Sequence, residues 1–119
     1  MTFNDSKPIY LQIVDIVCDK IAAKEWLAEE RIPSVRELGG DLEVNPNTVM
    51  RAYEWLSEQG ITYNKRGIGF FVSATAMEGI VKERRAKLLN EEVKSIAQRM
   101  KQLDVSIEEL TERLSAELQ

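Results

Sequence analysis

The sequence predicts a mainly α-helical fold with one small β-ribbon, and three observations predict it. Two segments with helix-capping residues and helical apolar spacing follow one another between residues 32 and 60. Two segments in which apolar residues alternate with other residues come next, over residues 61–72, and a basic, glycine-containing turn joins them. Residues 74–119 are again helical in pattern. This order is that of a winged helix-turn-helix (residues 1–73) followed by a two-helix dimerisation arm (residues 74–119).

The bulk composition bounds the kind of protein. The chain has 119 residues, of which 44% are hydrophobic and 30% charged, as is usual for a globular domain. Its apolar runs are shorter than the roughly 18 residues that a membrane span needs, and its first residues lack the pattern of a signal peptide. The single cysteine, Cys18, is predicted to be a small core residue. We expect a cytoplasmic protein.

Residue usage argues against an enzyme or a metal protein. The sequence contains no histidine, and one cysteine cannot complete a zinc site, so catalytic residues, metal ligands and cofactors are all expected to be absent. Adjacent carboxylates such as Glu91 and Glu92 point apart on a helix. The net charge of −4 also means that any nucleic-acid contact must come from a local patch.

The first helix is predicted to brace the motif that follows. Pro8 suits the first turn of a helix, and the apolar spacing continues to about Glu25. The residues of its apolar face are Ile9, Ile13, Val17 and Ile21. Packing is the main role expected here, and contact of Tyr10 or Lys7 with a DNA phosphate is the minor alternative. The connector Trp26–Arg31 is expected to contribute Trp26 and Leu27 to the core.

Two capped helices form the centre of the motif. Ser34 and Glu37 have the spacing of a capping box, and Asn45 is placed to cap a second helix that begins with Pro46. Gly39 provides room for the second helix to cross closely. Gly60 is expected to end that helix. The residues expected on its inner face are Val49, Ala52, Tyr53 and Leu56.

A two-stranded ribbon is predicted next. Ile61 and Tyr63 alternate in one strand and Ile68, Phe70 and Val72 in the other, with Asn64–Gly67 as the turn. Such a ribbon, with two cations at its tip, could be a solvated hairpin. Beside a capped helix pair it is better suited to lie along a DNA backbone or to enter a minor groove.

These residues resemble the DNA-binding domain of the GntR family of bacterial transcription regulators, most closely its short-tailed, YtrA-like branch. The pieces that carry the resemblance are PIYLQI, IPSVREL, VNPNTVMRAYEWLSEQG and YNKRGIGFFV. The resemblance implies that Arg36 contacts DNA, that the start of the second helix faces base edges, and that the ribbon tip approaches the minor groove. The candidate DNA-binding residues are Ser34, Arg36, Asn45, Pro46, Asn47, Thr48, Arg51, Lys65, Arg66 and Gly67.

The sequence departs from the family pattern at several positions. Pro46 and Met50 stand where many members have arginine, and Arg51 adds a cation one residue later. Glu43 stands where glycine is usual, which is unfavourable if that residue has positive φ. Asn47 could pair with adenine, Thr48 could meet a phosphate or a thymine methyl group, and Arg36 and Arg51 could contact phosphate or guanine.

The arm has an apolar seam suited to helix–helix contact. Its residues are spaced four, three, four and three apart: Leu89, Val93, Ile96, Met100 and Leu103. A break at residues 104–106 and a second capping box, Ser106 with Glu109, precede a final helix. Its predicted apolar face comprises Ile107, Leu110, Leu114 and Leu118. Two helices are expected to be too few to enclose a small-molecule pocket, so an effector is compatible with the sequence but not indicated by it.

The leading hypothesis is a transcriptional regulator, in particular a repressor, that acts as a homodimer on a palindromic DNA operator. With few cations in each subunit, two half-sites would be needed for firm binding. The alternative hypothesis is a winged-helix adaptor that binds proteins and does not read DNA, and the acidic net charge favours it. Steep salt dependence of DNA binding would distinguish the two.

Overall fold

The computed structural model describes residues 3, 4 and 6–119. Six α-helices, two β-strands and one π-helical segment make up this part of the chain, in the order α1 Ile9–Ala22, α2 Val35–Leu42, α3 Pro46–Glu58, β1 Thr62–Lys65, β2 Gly69–Val72, α4 Ala76–Lys87, a π-helix Leu88–Glu92, α5 Val93–Leu103 and α6 Ile107–Glu117.

The chain divides into two compact units, the first ending at Lys82 and the second covering Glu83–Gln119. The division falls inside α4, because Ala76 and Ile80 on its first turns are buried in the core of the first unit. The first unit therefore extends past the end of the winged motif at residue 73.

The core of the first unit lies between α1, α2, α3 and the base of the ribbon. The residues predicted for the inner face of α3 are all fully buried, and Cys18 is buried as expected. Helix α1 is shorter than predicted, because Lys24 adopts a left-handed conformation with φ of 62° just after it. Leu27 was expected in the core but is exposed, whereas Trp26 packs against the core as predicted.

The caps that define α2 and α3 are those predicted. Ser34 Oγ accepts a hydrogen bond from the Glu37 N–H, and the Glu37 carboxylate accepts one from the Ser34 N–H, both at 3.1 Å. Asn45 Oδ1 accepts a 2.8 Å bond from the Asn47 N–H at the start of α3. Gly60 follows α3 with φ of 73°. Both ends of the helix pair are thus fixed by local hydrogen bonds and backbone conformation.

The turn between α2 and α3 is tight. A Cβ atom added to Gly39 would lie 2.9 Å from the carbonyl oxygen of Val44, so glycine is needed at this point of α2. Glu43 ends α2 with φ of 57°, in the left-handed region where residues other than glycine are strained. The strain anticipated for Glu43 is therefore present.

The ribbon forms with a different turn from the one predicted. Asn64 and Lys65 belong to β1, where Lys65 pairs with Gly69. The loop consists of Arg66, Gly67 and Ile68, with the Ile68 N–H bonded to the Lys65 carbonyl oxygen at 2.9 Å. Gly67, at φ of 80°, places the reversal later in the chain than predicted. The prediction that Ile68 belongs to the second strand is wrong, since it lies in the loop and its side chain is 58% exposed.

Residues 29–32 pair with β2 as a third, strand-like segment of the ribbon. The Glu29 N–H donates to the carbonyl oxygen of Val72 at 2.8 Å, and the Val72 N–H donates to that of Glu30 at 2.9 Å. The Ile32 N–H donates to the carbonyl oxygen of Phe70 at 3.0 Å. Part of the segment predicted as a connector, residues 26–31, therefore also holds β2 in place.

The second unit consists of helices without an interior. None of the residues of the π-helix, α5 or α6 is buried. Asp104 ends α5 with φ of 53°. At α6 only half of the predicted capping box forms: Ser106 Oγ accepts from the Glu109 N–H at 3.1 Å, and the reciprocal bond between these two residues is absent.

Candidate nucleic-acid interface

The head of α3 presents polar side chains to solvent. Pro46 is the first residue of the helix, its side chain is exposed, and Asn47 beside it is exposed as well. Thr48 is half-buried. The side-chain oxygen of Asn45 is used for capping, which leaves its amide N–H groups available to an outside acceptor. The end of α3 predicted to face base edges is therefore open and rich in hydrogen-bonding groups.

A depression of about 330 Å³ lies between α3 and the start of α1. Four candidate DNA-binding residues line it together with Pro8 and the first two residues of α1: Asn45, Asn47, Thr48 and Arg51 with Pro8, Ile9 and Tyr10. The guanidinium carbon of Arg51 lies 4.0 Å from the centre of the Tyr10 ring. The depression thus combines a cation, amide and hydroxyl groups, which is the chemistry of a surface that binds phosphates and bases.

Arg36 and Ser34 lie at the start of α2. Arg36 is exposed, and Ser34 is half-buried with its oxygen engaged in the capping box. The hydrogen bond from the Ser34 N–H lowers the pKa of Glu37, with smaller contributions from the Ser34 hydroxyl and from nearby Arg31. Glu37 is therefore ionised at neutral pH, and its charge is committed to the cap.

The two cations of the ribbon tip differ in their contacts with aromatic rings. The Lys65 ammonium lies 4.3 Å from the centre of the Phe71 ring and 6.0 Å from that of Tyr63. Arg66 is exposed in the loop. Gly67 has open space around it, so its positive φ, rather than crowding, accounts for glycine. The two predicted wing cations are therefore not equivalent.

Arg31 is a further cation of this ribbon that the sequence prediction missed. It forms a β-bridge with Phe71, and its guanidinium covers Gly69, where an added Cβ would lie 2.9 Å from Nε. Next to it, the Tyr63 hydroxyl donates a 2.7 Å hydrogen bond to the Glu29 carboxylate. Because Arg31 and Phe71 are far apart in sequence, no local sequence pattern around Arg31 predicts that they pair.

The candidate DNA-binding cations and Arg31 have no carboxylate partner among the described residues. Within the part of the chain that the structure describes, Arg31, Arg36, Arg51, Lys65 and Arg66 form no ion pair within 4.0 Å. Lys7, the minor alternative phosphate contact, is instead paired with Asp15. The structure brings Asn45, Asn47, Thr48 and Arg51 around one depression, whereas Arg36 and the ribbon tip lie outside it.

The seam predicted in the second unit is on its surface. Leu89, Val93, Ile96 and Leu103 are each between 41% and 67% exposed, and Met100 is half-buried. Leu89 lies in the π-helical segment, whose wider turn departs from the α-helical period. The continuous apolar surface is therefore best defined from Val93 to Leu103.

The second unit also has an open depression of about 500 Å³, lined by Val105, Glu109, Leu110, Glu112 and Arg113. The prediction concerned an enclosed pocket, and this open depression does not contradict it. None of the lining residues is buried and three are charged, so the depression is a surface groove rather than an enclosed apolar pocket.

The described residues include no group of three or more acidic or cysteine side chains that could hold a metal ion. A separate search of the same residues finds no helix with the length and apolarity required to cross a membrane.

The sequence is similar to a family of bacterial regulatory proteins and to two of their members. The sequence model described as "Bacterial regulatory proteins, gntR family" matches residues 9–72. The HTH-type transcriptional regulator YhcF of Bacillus subtilis (strain 168) is 40% identical over 110 residues, which are 92% of this chain and 89% of that protein. The HTH-type transcriptional repressor YtrA of the same strain is 33% identical over 109 residues, 92% of this chain and 83% of that protein.

Solved structures share the architecture. A transcriptional regulator of the GntR family from Bacteroides thetaiotaomicron has a TM-score of 0.77 and 44% identity, with 93% of this chain and 96% of that chain covered. The DNA-binding domain of AraR in complex with operator ORR3 has a TM-score of 0.56 and 27% identity, with 61% of this chain and 88% of that chain covered. The winged helix-turn-helix predicted from the sequence is confirmed.

Proposed function

Because the chain belongs to the gntR family of bacterial regulatory proteins, we propose that it is a cytoplasmic transcriptional repressor that binds a palindromic DNA operator as a homodimer. The observation that carries the proposal is the open head of α3, where Asn47, Thr48 and Arg51 surround one depression. The similarity to YtrA, a transcriptional repressor, supports repression rather than activation.

Each part of the first unit has a defined task in the proposed complex. The head of α3 enters the major groove, where Asn47 pairs with adenine through its amide and Thr48 contacts a thymine methyl group or a phosphate. Arg36 at the start of α2 contacts the backbone or a guanine. Arg66 approaches the minor groove from the ribbon tip, where the loop reverses at Gly67.

The second unit supplies the homodimer contact. Helix α5 has an exposed apolar surface from Val93 to Leu103 and no buried residues. Such a surface is expected to be covered by another apolar surface. A two-fold related copy of the same surface satisfies this need and generates two reading units, in keeping with a palindromic site. Since the cations of one first unit are few, binding to two half-sites raises the affinity without a basic field.

The test is binding of a palindromic fragment from the promoter region of the gene, compared with random DNA of equal length at physiological salt. We expect Asn47→Ala to reduce the preference for the palindrome, and Arg36→Ala and Arg66→Ala to weaken binding roughly tenfold. Lys94→Ala, which removes an exposed cation from the second unit, is the matched control and should bind as wild type does.

The results decide between the two functional hypotheses. Affinity that falls steeply with salt concentration supports a DNA reader, because Lys and Arg displace counterions from phosphates. Equal binding by wild type and the three site variants, or no preference for the palindrome, would overturn the proposal and leave the protein-binding adaptor. Repression itself is tested by a reporter fused to the same promoter, whose expression should rise when the gene is deleted.

A further inference from the structure

The pair formed by Tyr10 and Arg51 joins α1 to the recognition helix α3. Tyr10 lies in the first turn of α1 and is half-buried, whereas Arg51 lies in the second turn of α3 and is exposed. The guanidinium carbon is 4.0 Å from the ring centre, which is stacking distance for a planar cation on an aromatic face.

This stacking restrains Arg51 without using up its charge. A guanidinium that lies on a ring keeps its N–H groups directed outward around its edge, where they can bind a phosphate in a forked geometry. The other described residues place no carboxylate within 4.0 Å of Arg51. The cation is therefore held in place and remains available to an external anion.

The stacked group lies on the α1 side of the depression that it shares with the residues placed to read bases. Arg51 follows Asn47 by four residues and Thr48 by three, so all three share one face of α3. The Arg51 guanidinium lies against the Tyr10 ring, beside α1 and at the flank of that face. Asn47 lies at the N-terminus of α3. A duplex that receives the head of α3 in its major groove passes a strand backbone along such a flank.

We propose, on the basis of the function proposed above, that Tyr10 is a positioning residue that holds Arg51 as a contact to a backbone phosphate rather than to a base. Arg51 then contributes affinity that does not depend on sequence and that salt weakens. Base preference comes from Asn47 and Thr48. The chemistry recognised at the Tyr10–Arg51 pair is a phosphodiester of the operator.

A double-mutant cycle on the full chain tests the proposal. Binding of wild type, Arg51→Ala, Tyr10→Leu and the double variant is measured against the operator and against fragments with single base changes, at several salt concentrations. We expect Arg51→Ala to weaken binding about tenfold on every fragment and to lower the salt slope by about one. Tyr10→Phe, which keeps the ring, should bind as wild type does, and Tyr10→Leu should lose part of the Arg51 contribution.

The double-mutant cycle distinguishes positioning of Arg51 by Tyr10 from a role of Tyr10 in packing alone. In the Arg51→Ala background, Tyr10→Leu should cause no further loss of affinity. An equal loss from Tyr10→Leu in both backgrounds, or a change in base preference at one position upon Arg51→Ala, would overturn the inference. Thermal melting checks folding, and Tyr10→Met, which fills a similar volume without a ring, replaces Tyr10→Leu should the latter unfold.

Failure of this inference is distinguishable from failure of the proposed function. If wild-type protein shows no preference for the palindrome, the proposed function is wrong and the inference falls with it. If wild type binds with preference and the cycle shows no coupling, the inference alone is wrong.

Discussion

The hydroxyl of Tyr53 donates a 2.7 Å hydrogen bond to the main-chain carbonyl oxygen of Pro33, which lies 20 residues earlier in the sequence. Tyr53 is fully buried on α3, and its ring meets Phe70 of β2 edge-on, with 5.1 Å between the ring centres. One side chain thus joins α3, the residues that lead into α2, and the ribbon.

Removal of this hydroxyl should destabilise the first unit without changing its shape. Tyr53→Phe retains the ring packing and leaves the carbonyl of half-buried Pro33 without this partner, so we expect a loss of about 1–1.5 kcal/mol in the free energy of unfolding. Urea denaturation provides the measurement. Tyr63→Phe, whose hydroxyl bonds to exposed Glu29, is the matched control and should change stability little. Equal losses in both variants would contradict this account.

Alkaline pH should destabilise the protein through the same residue. Burial raises the pKa of Tyr53 well above its ordinary value of 10.0, so the folded state keeps the phenol neutral where the unfolded state ionises. The contribution of the neutral Tyr53 phenol to the free energy of unfolding is therefore complete below pH 10 and is lost progressively as the pH rises above it. The melting temperature should fall less steeply above pH 10 in Tyr53→Phe than in wild type. Parallel curves would show that other groups cause the fall.

Two adjacent glycines of α2 should respond in opposite ways to alanine. A Cβ at Gly39 would lie 2.9 Å from the Val44 carbonyl oxygen, a backbone atom that cannot move freely, so Gly39→Ala should cost about 1–3 kcal/mol. Gly40 has no neighbour within 4 Å of such a Cβ, and Gly40→Ala should stabilise the helix by about 0.5–1 kcal/mol. Denaturation curves of both variants give the comparison, which a loss of stability in both would contradict.

Relief of backbone strain at Glu43 should stabilise the turn. Glu43 holds φ of 57°, so Glu43→Gly should raise the free energy of unfolding by about 0.5–1 kcal/mol. Glu43→Gln controls for the lost charge and should show no such gain. Glu54→Gly, at an exposed position inside α3, should instead lose about 1 kcal/mol. A Glu43→Gly variant less stable than Glu43→Gln would refute the strain argument.

A charge in the apolar seam should disrupt self-association. Ile96 is 41% exposed on α5, and a two-fold interface would place Ile96→Glu in the contact twice. We expect dimer affinity to fall on the order of 100-fold, with operator affinity falling alongside it. Gln98→Glu introduces the same charge away from the seam and should leave both unchanged. Sedimentation velocity at several protein concentrations measures the effect, and a monomeric wild type would exclude the homodimer.

Local signals in the sequence were sufficient for most of the first unit. The capping pairs Ser34–Glu37 and Asn45–Asn47 act within three residues, and the apolar spacing of α3 identifies its buried face. These interactions are formed by neighbours in the chain, so sequence pattern alone predicts them.

The failed predictions have two physical causes, a pairing between distant segments and a local loop conformation. The pairing of residues 29–32 with β2 joins segments about 40 residues apart, so Arg31 carried no local sign of its place on the ribbon. The exposure of Ile68 follows from the loop conformation at Gly67 rather than from alternation. At the candidate site, four of the residues that line the depression had each been predicted separately as DNA-binding residues. Their meeting with Tyr10 depends on how α1 packs against α3, which is a tertiary property.

The absence of any buried residue in the π-helix, α5 and α6 has a consequence for regulation. In the proposed dimer these helices gain their apolar contacts only from a partner, so the fraction of assembled protein depends on how many copies the cell makes. Dimer concentration then varies with the square of monomer concentration when monomers predominate. Promoter occupancy would rise steeply over a narrow range of expression, and dilution during growth would itself relieve repression.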